Sequence, residues 1–417
     1  MKVLVVTAEY PPVPGGVGDY SCRLVEELSA LGEDMSVLTS TERDPLDTRI
    51  ARTEASWRFP QGQRIWYAVP HWGWRAWPLL KQRIQAERPD VVHFQYQAAS
   101  YGMRPFIHVA PALIRSWAIR PLVAVTFHDL RVPYLFPKAG HLRLQALRVM
   151  AKMADAAIVT NPGDLAAITG WGVRTVHPIV IGSNVPNQPP LDYHRETWRK
   201  RLGVHDTDCL VVFFGFLNRS KGFLELLDAV HTLRQEGFPL RLLVLGGGTG
   251  VSDPSNSDYE RAVYQRVTDL GLEQVIIWTG YQPPEHVSAH LLAADVAALP
   301  YQDGLSTRRG TLMATLEHGV PLLSTAPRYP VPGLRDGESV LLAPSSDPES
   351  LVPSLRRLVT DPLLRASLHK GAREAARQFG WETIALRHAA LYRILAGLDD
   401  PGVRLILSGH SHDSGPG

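Results

Sequence analysis

Cysteine is nearly missing: Cys22 and Cys209 are the two in 417 residues, far apart and without ligand spacing. That excludes a disulfide framework or a zinc module and fits a reducing, cytoplasmic compartment. An excess of one charge is missing too, with 43 Lys+Arg against 41 Asp+Glu. The chain therefore has no global basic field, and nucleic acid is not an expected partner. No apolar run approaches the roughly 18 residues of a membrane span, and the opening MKVLVVTAEYPP breaks at Pro11-Pro12, too early for a signal peptide. A soluble chain is expected, compatible with peripheral membrane contact. The dinucleotide fingerprint GxGxxG is also absent after the first strand, which disfavours a nicotinamide enzyme.

What the chain does have is a repeated alternation of short apolar runs and helical stretches. At about 150 residues per domain, its length suggests two domains. In the first, Lys2–Thr7, Asp34–Thr39, Ile65–Val69, Val91–Gln95, Leu122–Thr126, Ala156–Thr160 and Thr175–Ile179 read as strands. Helices are expected up to Leu31 and over Trp77–Glu87, Met103–Ser116 and His141–Met153. Continuous apolar strands separated by helices indicate a parallel sheet covered on both faces. The Pro-rich stretch Gly182–Pro190 reads as a linker, after which the scheme repeats from Tyr193. The expected boundaries are residues 1–182 and 190–380, with a last amphipathic helix near 381–396 and a disordered Gly/Ser/His tail at 400–417. Ligands of such sheets bind beyond the carboxyl ends of the strands, so the expectation is two Rossmann-like domains facing across a ligand cleft.

The stretch Leu299–Thr325 carries the sharpest chemistry. A strand passes through Asp303-Gly304 and Ser306-Thr307-Arg308-Arg309-Gly310 into a helix from Thr311. Amides at a helix start and guanidinium forks at one point suit an anion, so Asp303, Ser306, Arg308, Arg309, Gly310 and Thr311 are read as a phosphate cradle. Because the arginines are adjacent, one is expected at the diphosphate and the other turned to solvent or the linker. A second basic turn, Gly215–Gly222, follows strand Leu210–Phe214 and offers Arg219 and Lys221. The Gly15-Gly16 loop brings amides to the first helix start. His128 ends one strand and, more weakly, His93 ends its neighbour. Trp57, Trp66, Trp72, Trp74 and Trp77 crowd one segment beside Arg75, Lys81 and Arg83. Core packing is the plainer reading; a membrane interface or a sugar-stacking pocket, with Trp72 and His93 on the acceptor side, is the sharper one.

Asp206-Thr207-Asp208 has the form of a metal-binding DxD, but it precedes its strand and so lies at the wrong edge. His410-Ser411-His412-Asp413 stands in the tail without partner ligands, and Gly246–Gly250 lacks the third fingerprint glycine. No metal site is expected.

Taken in order, GGVGDY, the strand-terminal His128, GFLNRSKG, the segment from Glu285 to Tyr301 and GVPLLST resemble the GT-B glycosyltransferases of the family 4 type, over nearly the whole chain. The resemblance implies a retaining transferase that moves a sugar from a nucleoside-diphosphate sugar to a saccharide, lipid-linked or small-molecule acceptor. The sugar nucleotide is then a substrate, and no cofactor is implied. It also implies a nucleotide-holding second domain, an acceptor-side first domain and a last helix that crosses back. By the same resemblance Gly16 offers its backbone to phosphate or sugar, His128 contacts the donor sugar and Lys221 binds the diphosphate. Two departures stand out. The usual arginine six residues before the lysine is Gly215, with Arg219 as the expected substitute, and the paired glutamates are Ser306 and Ala314. The missing glutamates keep an inactive sugar-nucleotide-binding subunit in play, and the fold alone admits an epimerase or hydrolase.

Overall fold

The computed structural model describes residues 1–13, 15–41, 56–58, 63–130, 140–246 and 256–398. These divide into two units, Met1–Ile181 together with the chain from Trp381, and Gly182–Gly380.

The first unit runs β1 (Lys2–Val6), α1 (Gly16–Ala30), β2 (Asp34–Ser40), β3 (Ser56–Arg58), β4 (Arg64–Val69), α2 (Ala76–Glu87), β5 (Val91–Tyr96), α3 (Phe106–Arg115), β6 (Leu122–Phe127), α4 (Gly140–Met153), β7 (Ala156–Val159), α5 (Pro162–Gly170) and β8 (Val176–Pro178). Its described strands lie in the order β3-β4-β2-β1-β5-β6-β7-β8. All neighbours pair in parallel except β3 with β4. Alternate residues serve opposite faces, as the period of two demands. Leu4 and Val6 join Leu80, Phe106, Ile107 and Met150 under α2, α3 and α4, whereas Val3 and Val5 join Tyr20, Leu24 and Leu28 of α1. The second core is completed from far along the sequence by Ile384, Leu391 and Tyr392. These belong to α13 (Trp381–Leu395), which is pinned by an Arg393–Glu33 ion pair at 2.6 Å.

The second unit runs α6 (Arg195–Arg201), β9 (Cys209–Gly215), α7 (Phe223–Gln235), β10 (Leu240–Gly246), α8 (Asn256–Asp269), β11 (Ile276–Trp278), α9 (Pro284–Ala293), β12 (Val296–Leu299), α10 (Gly310–Glu317), β13 (Leu322–Thr325), β14 (Leu341–Ala343), α11 (Pro348–Thr360) and α12 (Pro362–Ala376). Its described sheet is parallel throughout, in the order β11-β10-β9-β12-β13-β14. One face buries Val211, Phe213, Leu242 and Val244 under Leu226 and Val230 of α7, Val263 of α8 and Leu355 of α11.

Several elements differ from the sequence expectation, each for a local reason. Helix α3 starts at Phe106, not Met103, because Gly102 and Met103 both take the left-handed conformation, φ +58° and +56°. The unanticipated α5 is short and Gly-rich, but Asn161 caps it by accepting the Asp164 amide at 2.9 Å, and Pro162 opens its first turn. Strands β3 and β14 are three residues each, too short to show a pattern. The loop after Gly246, the tail from residue 400 and the Trp57 side chain lie outside the described residues.

Candidate functional site: a cationic strand edge and a histidine edge

In both units the chain reverses direction along the sheet next to its first strand. β1 is flanked by β2 and β5, and β9 by β10 and β12. The loops leaving the carboxyl ends of such a pair diverge and leave a crevice, which is where open parallel sheets bind ligands.

In the second unit β9 ends at Gly215, φ +137°. A Cβ there would stand 3.0 Å from Lys221 Nζ, so glycine gives the ammonium its seat above the strand end. Lys221 closes a 3₁₀ turn, Arg219–Lys221, capped by Asn218 Oδ1, which accepts the Ser220 amide at 2.9 Å. The next residue, Gly222, has φ +68°, and a Cβ on it would lie 2.0 Å from the Pro300 carbonyl oxygen. This turn is thereby pressed onto the end of β12. Tyr301, 1 % exposed, forms the floor. Its ring centroid is 5.6 Å from Lys221 Nζ and 4.6 Å from Arg309 Cζ, and its hydroxyl is 2.9 Å from Thr311 Oγ1. Burial, with the Arg309 guanidinium adding to it and Asp303 opposing, lowers the Lys221 ammonium to about 7. The cluster is thus a concentrated positive site, held partly discharged.

Helix α10 opens in front of it. Its cap residue Arg309 is extended and supplies no side-chain cap, and a Cβ on Gly310 would meet nothing within 4 Å. The Arg309 amide goes to the Ser306 carbonyl at 3.2 Å, and Thr325 receives the Leu305 amide at 3.2 Å, fixing the loop. The structure brings Asp303, Arg308, Arg309, Gly310, Thr311 and Lys221 together and corrects the expected disposition of the arginines. Neither turns to solvent: both donate to the single Asp303 carboxylate, Arg309 at 2.5 Å. Three side chains contend for one anion, and Arg309 Nε is buried with no hydrogen-bond partner. The guanidinium beside Lys221 is Arg309, whereas Arg219, expected there, is exposed.

In the first unit α1 begins at Gly16 behind the uncapped Gly15, in which a Cβ would lie 2.4 Å from Glu9 Oε2. A Cβ on Gly16 would meet nothing within 4 Å. The neighbouring Asp19 carboxyl is raised to about 6 by burial, with Glu9 adding to it, and Glu9 is itself raised by burial. Glu9 stands in the opening stretch read for its proline break and Asp19 in the glycine motif GGVGDY, so the two were missed as a pair; only the fold brings Glu9 over Gly15. His128 follows the last residue of β6, its amide donating to the Tyr96 carbonyl at 2.9 Å. Its Nε2 is 2.9 Å from Gln95 Oε1 and its ring lies edge-on to Tyr20 at 4.8 Å. Burial, with nearby His388, lowers its imidazole to about 3, so it is neutral at working pH.

Two acceptor-side expectations are corrected. His93 does not end its strand: it is the third residue of β5, fully buried, with Nδ1 2.7 Å from the Tyr392 hydroxyl and Nε2 2.7 Å from Thr126 Oγ1. Trp72 is core, 4 % exposed, donating to Ser40 Oγ at 2.9 Å and edge-on to Tyr101. Of its neighbours, Trp74 is exposed, Trp77 packs on Phe106 and Trp117, and Trp66 lies under the Arg83 guanidinium at 3.5 Å. Asp206 and Asp208 precede β9, and Asp208 accepts the His205 amide at 2.8 Å. Among the described residues, no three His, Cys, Asp or Glu side chains are grouped to hold a metal, and no helix is long and apolar enough to cross a membrane.

Residues 15–183 match the model of the glycosyl transferase 4-like domain and residues 194–375 that of glycosyl transferases group 1. The chain belongs to the group 1 glycosyltransferases of GT-B fold. It is therefore an enzyme of that class. It is 28 % identical to the D-inositol 3-phosphate glycosyltransferase of Corynebacterium urealyticum, over 93 % of this chain and 92 % of that one. Among solved structures it resembles the sucrose-phosphate synthase of Thermosynechococcus elongatus, with TM-score 0.74, 21 % identity and coverage of 95 % and 99 %. It also resembles Anabaena HepE in complex with UDP and glucose, with TM-score 0.69, 19 % identity and coverage of 94 % and 99 %.

Proposed function

We propose that this glycosyltransferase uses a nucleoside-diphosphate sugar and transfers the sugar, with retention of anomeric configuration, to a hydroxyl of a small polar acceptor. The observation that carries the reading is Lys221 seated over Gly215, beside Arg309, before the open start of α10. As the bond from the sugar to the diphosphate breaks, negative charge grows on the leaving oxygens. A preorganised ammonium, a guanidinium and the amides of Gly310 and Thr311 are what stabilises it. The bound diphosphate supplies the anion that Lys221 lacks and draws it to full charge. His128, neutral, serves as a hydrogen-bonding group for the donor sugar. HepE was crystallised with UDP and glucose, which makes UDP-sugars the first donors to test, and the inositol-phosphate relative favours a small acceptor over a lipid-linked one. The charge that other sugar transferases draw from a metal comes in this reading from Lys221 and Arg309, so the reaction is metal-independent.

The test is a screen of UDP-, GDP- and ADP-sugars for thermal stabilisation, since a ligand that binds only the folded state raises its stability. A transfer assay with proton NMR of the product's anomeric signal follows. An α-linked product from an α-linked donor is expected; an inverted product contradicts retention, and no stabilisation by any of the three contradicts the donor class.

A further inference from the structure

The histidine edge of the first unit holds a residue that the resemblance does not assign. Gln95 lies in β5, fully buried, between two imidazoles. Its Oε1 is 2.9 Å from His128 Nε2. Its Nε2 stands 3.4 Å from His93 Nδ1 and 3.3 Å from His93 Nε2, nearly equidistant, so the amide N–H lies towards the ring face. Both His93 nitrogens are already engaged, by Tyr392 and by Thr126. Reversing the carboxamide would turn its oxygen onto the electron-rich face of that ring, whereas an N–H is attracted to it. Gln95 is therefore held one way round by a layer that reaches α13 through Tyr392. A carboxamide oxygen can only accept, so His128 Nε2 carries the hydrogen.

We propose that Gln95 is a positioning residue that locks His128 in the Nε2–H tautomer, leaving Nδ1 as the acceptor for a hydroxyl of the donor sugar. The functional half of this rests on the reading of His128 given above; the tautomer does not. Nδ1 has no partner among the described residues. The groups around the His128 ring are His93 from β5, His388 from α13 and Tyr20 from α1, with Tyr392 of α13 behind His93. None is an anion at working pH, in keeping with a ring that stays neutral and takes a hydrogen bond without giving up a proton.

Long-range proton–nitrogen NMR of the full chain, with His128 identified from the spectrum of His128→Gln, reads the tautomer directly. Nε2–H in the wild type is expected, and Nδ1–H overturns the proposal whatever the activity. Gln95→Met, similar in length but unable to accept strongly, is expected to lose the tautomer preference. Its kcat/KM should fall roughly 10- to 100-fold, the scale of one buried hydrogen bond, while the affinity for free UDP holds. Gln95→Glu puts an anion on Nε2–H and favours the imidazolium, so its kcat/KM should gain an acid limb near neutrality that the wild type lacks. Should Gln95→Met not fold, the wild-type spectrum and the Gln95→Glu profile carry the test. A folded Gln95→Glu enzyme with the wild-type pH profile overturns it. Wild-type transfer by His128→Ala would remove the sugar contact, and with it the functional half, and leave the tautomer measurement standing.

Discussion

The two units use the same scaffold for opposite chemistry. Each places a glycine-bearing loop and a helix start at the reversal point of a parallel sheet. Around that point the first unit gathers neutral imidazoles, a carboxamide and carboxyls raised by burial. The second gathers an ammonium and two guanidiniums around one carboxylate. The lesson is that the fold supplies a position and the side chains decide which charge it holds. A doubly charged diphosphate belongs with the cations, and an uncharged sugar hydroxyl with the neutral acceptors and donors.

The change expected to strike this contrast hardest is Lys221→Ala. Loss of a single preorganised donor to a developing anion costs about 2.7–4 kcal/mol in oxyanion holes, so turnover should fall by roughly 100-fold or more without unfolding the chain. Steady-state turnover beside circular dichroism checks it, and a folded variant with wild-type turnover would erase the asymmetry between the units. The paired arginines should respond unequally. Arg309 lies on Tyr301 beside Lys221, so Arg309→Ala should weaken nucleotide binding about 10- to 100-fold, and Arg308→Ala distinctly less. Equal losses in calorimetric titrations would show that both guanidiniums reach the phosphate.

Acid should act on the buried imidazoles next. His128 and His388 are lowered to about 3 and about 4, against an unfolded value near 6.5. Groups with lowered folded values bind more protons when unfolded, so the stability of the first unit should fall as pH drops from about 6.5 towards 4. Thermal unfolding across that window should show it, with a shallower slope in His388→Gln; an unchanged slope would mean that these imidazoles charge freely in the folded state. Lys221 works at the other end. Its folded value is about 7, and a bound diphosphate raises it, so nucleotide affinity should be full below pH 7 and weaken above it, with proton uptake on binding. Calorimetry at pH 8 in buffers of different ionisation enthalpy measures that uptake, and none would mean that Lys221 is charged before the ligand arrives. The smallest effect is expected from EDTA, which should leave transfer intact; loss restored by Mg²⁺ or Mn²⁺ would give the leaving-group charge to a metal.

Much of the architecture could be read in advance because strands buried on both faces are apolar along their whole length, as in Val3–Val6 and Val211–Phe213. The basic loops were visible for a related reason: charge placed after such a strand stands at its ligand-bearing end, as Lys221 and Arg309 do. What escaped was register and partnership. His93 looked like a strand end because apolar content does not say where a strand stops, yet three more residues of β5, Phe94, Gln95 and Tyr96, follow it. Trp72 shows the same limit, since an indole in the sequence does not reveal whether its N–H will find Ser40. Asp303 sharing both arginines depends on how one short loop folds back on itself, and Gln95 reaching His128 depends on the pairing of β5 with β6, and no local pattern encodes either.

The diphosphate is proposed to be held by Lys221 and Arg309 in the second unit. The most direct test is a titration of UDP, and of GDP and ADP in parallel, against the wild type and the Lys221→Ala/Arg309→Ala double variant. The nucleotide bound by the wild type is expected to lose at least about 100-fold in affinity in a variant that still folds, taking roughly 1.5–3 kcal/mol for each charged partner removed. A folded double variant that binds that nucleotide as tightly as the wild type would contradict it.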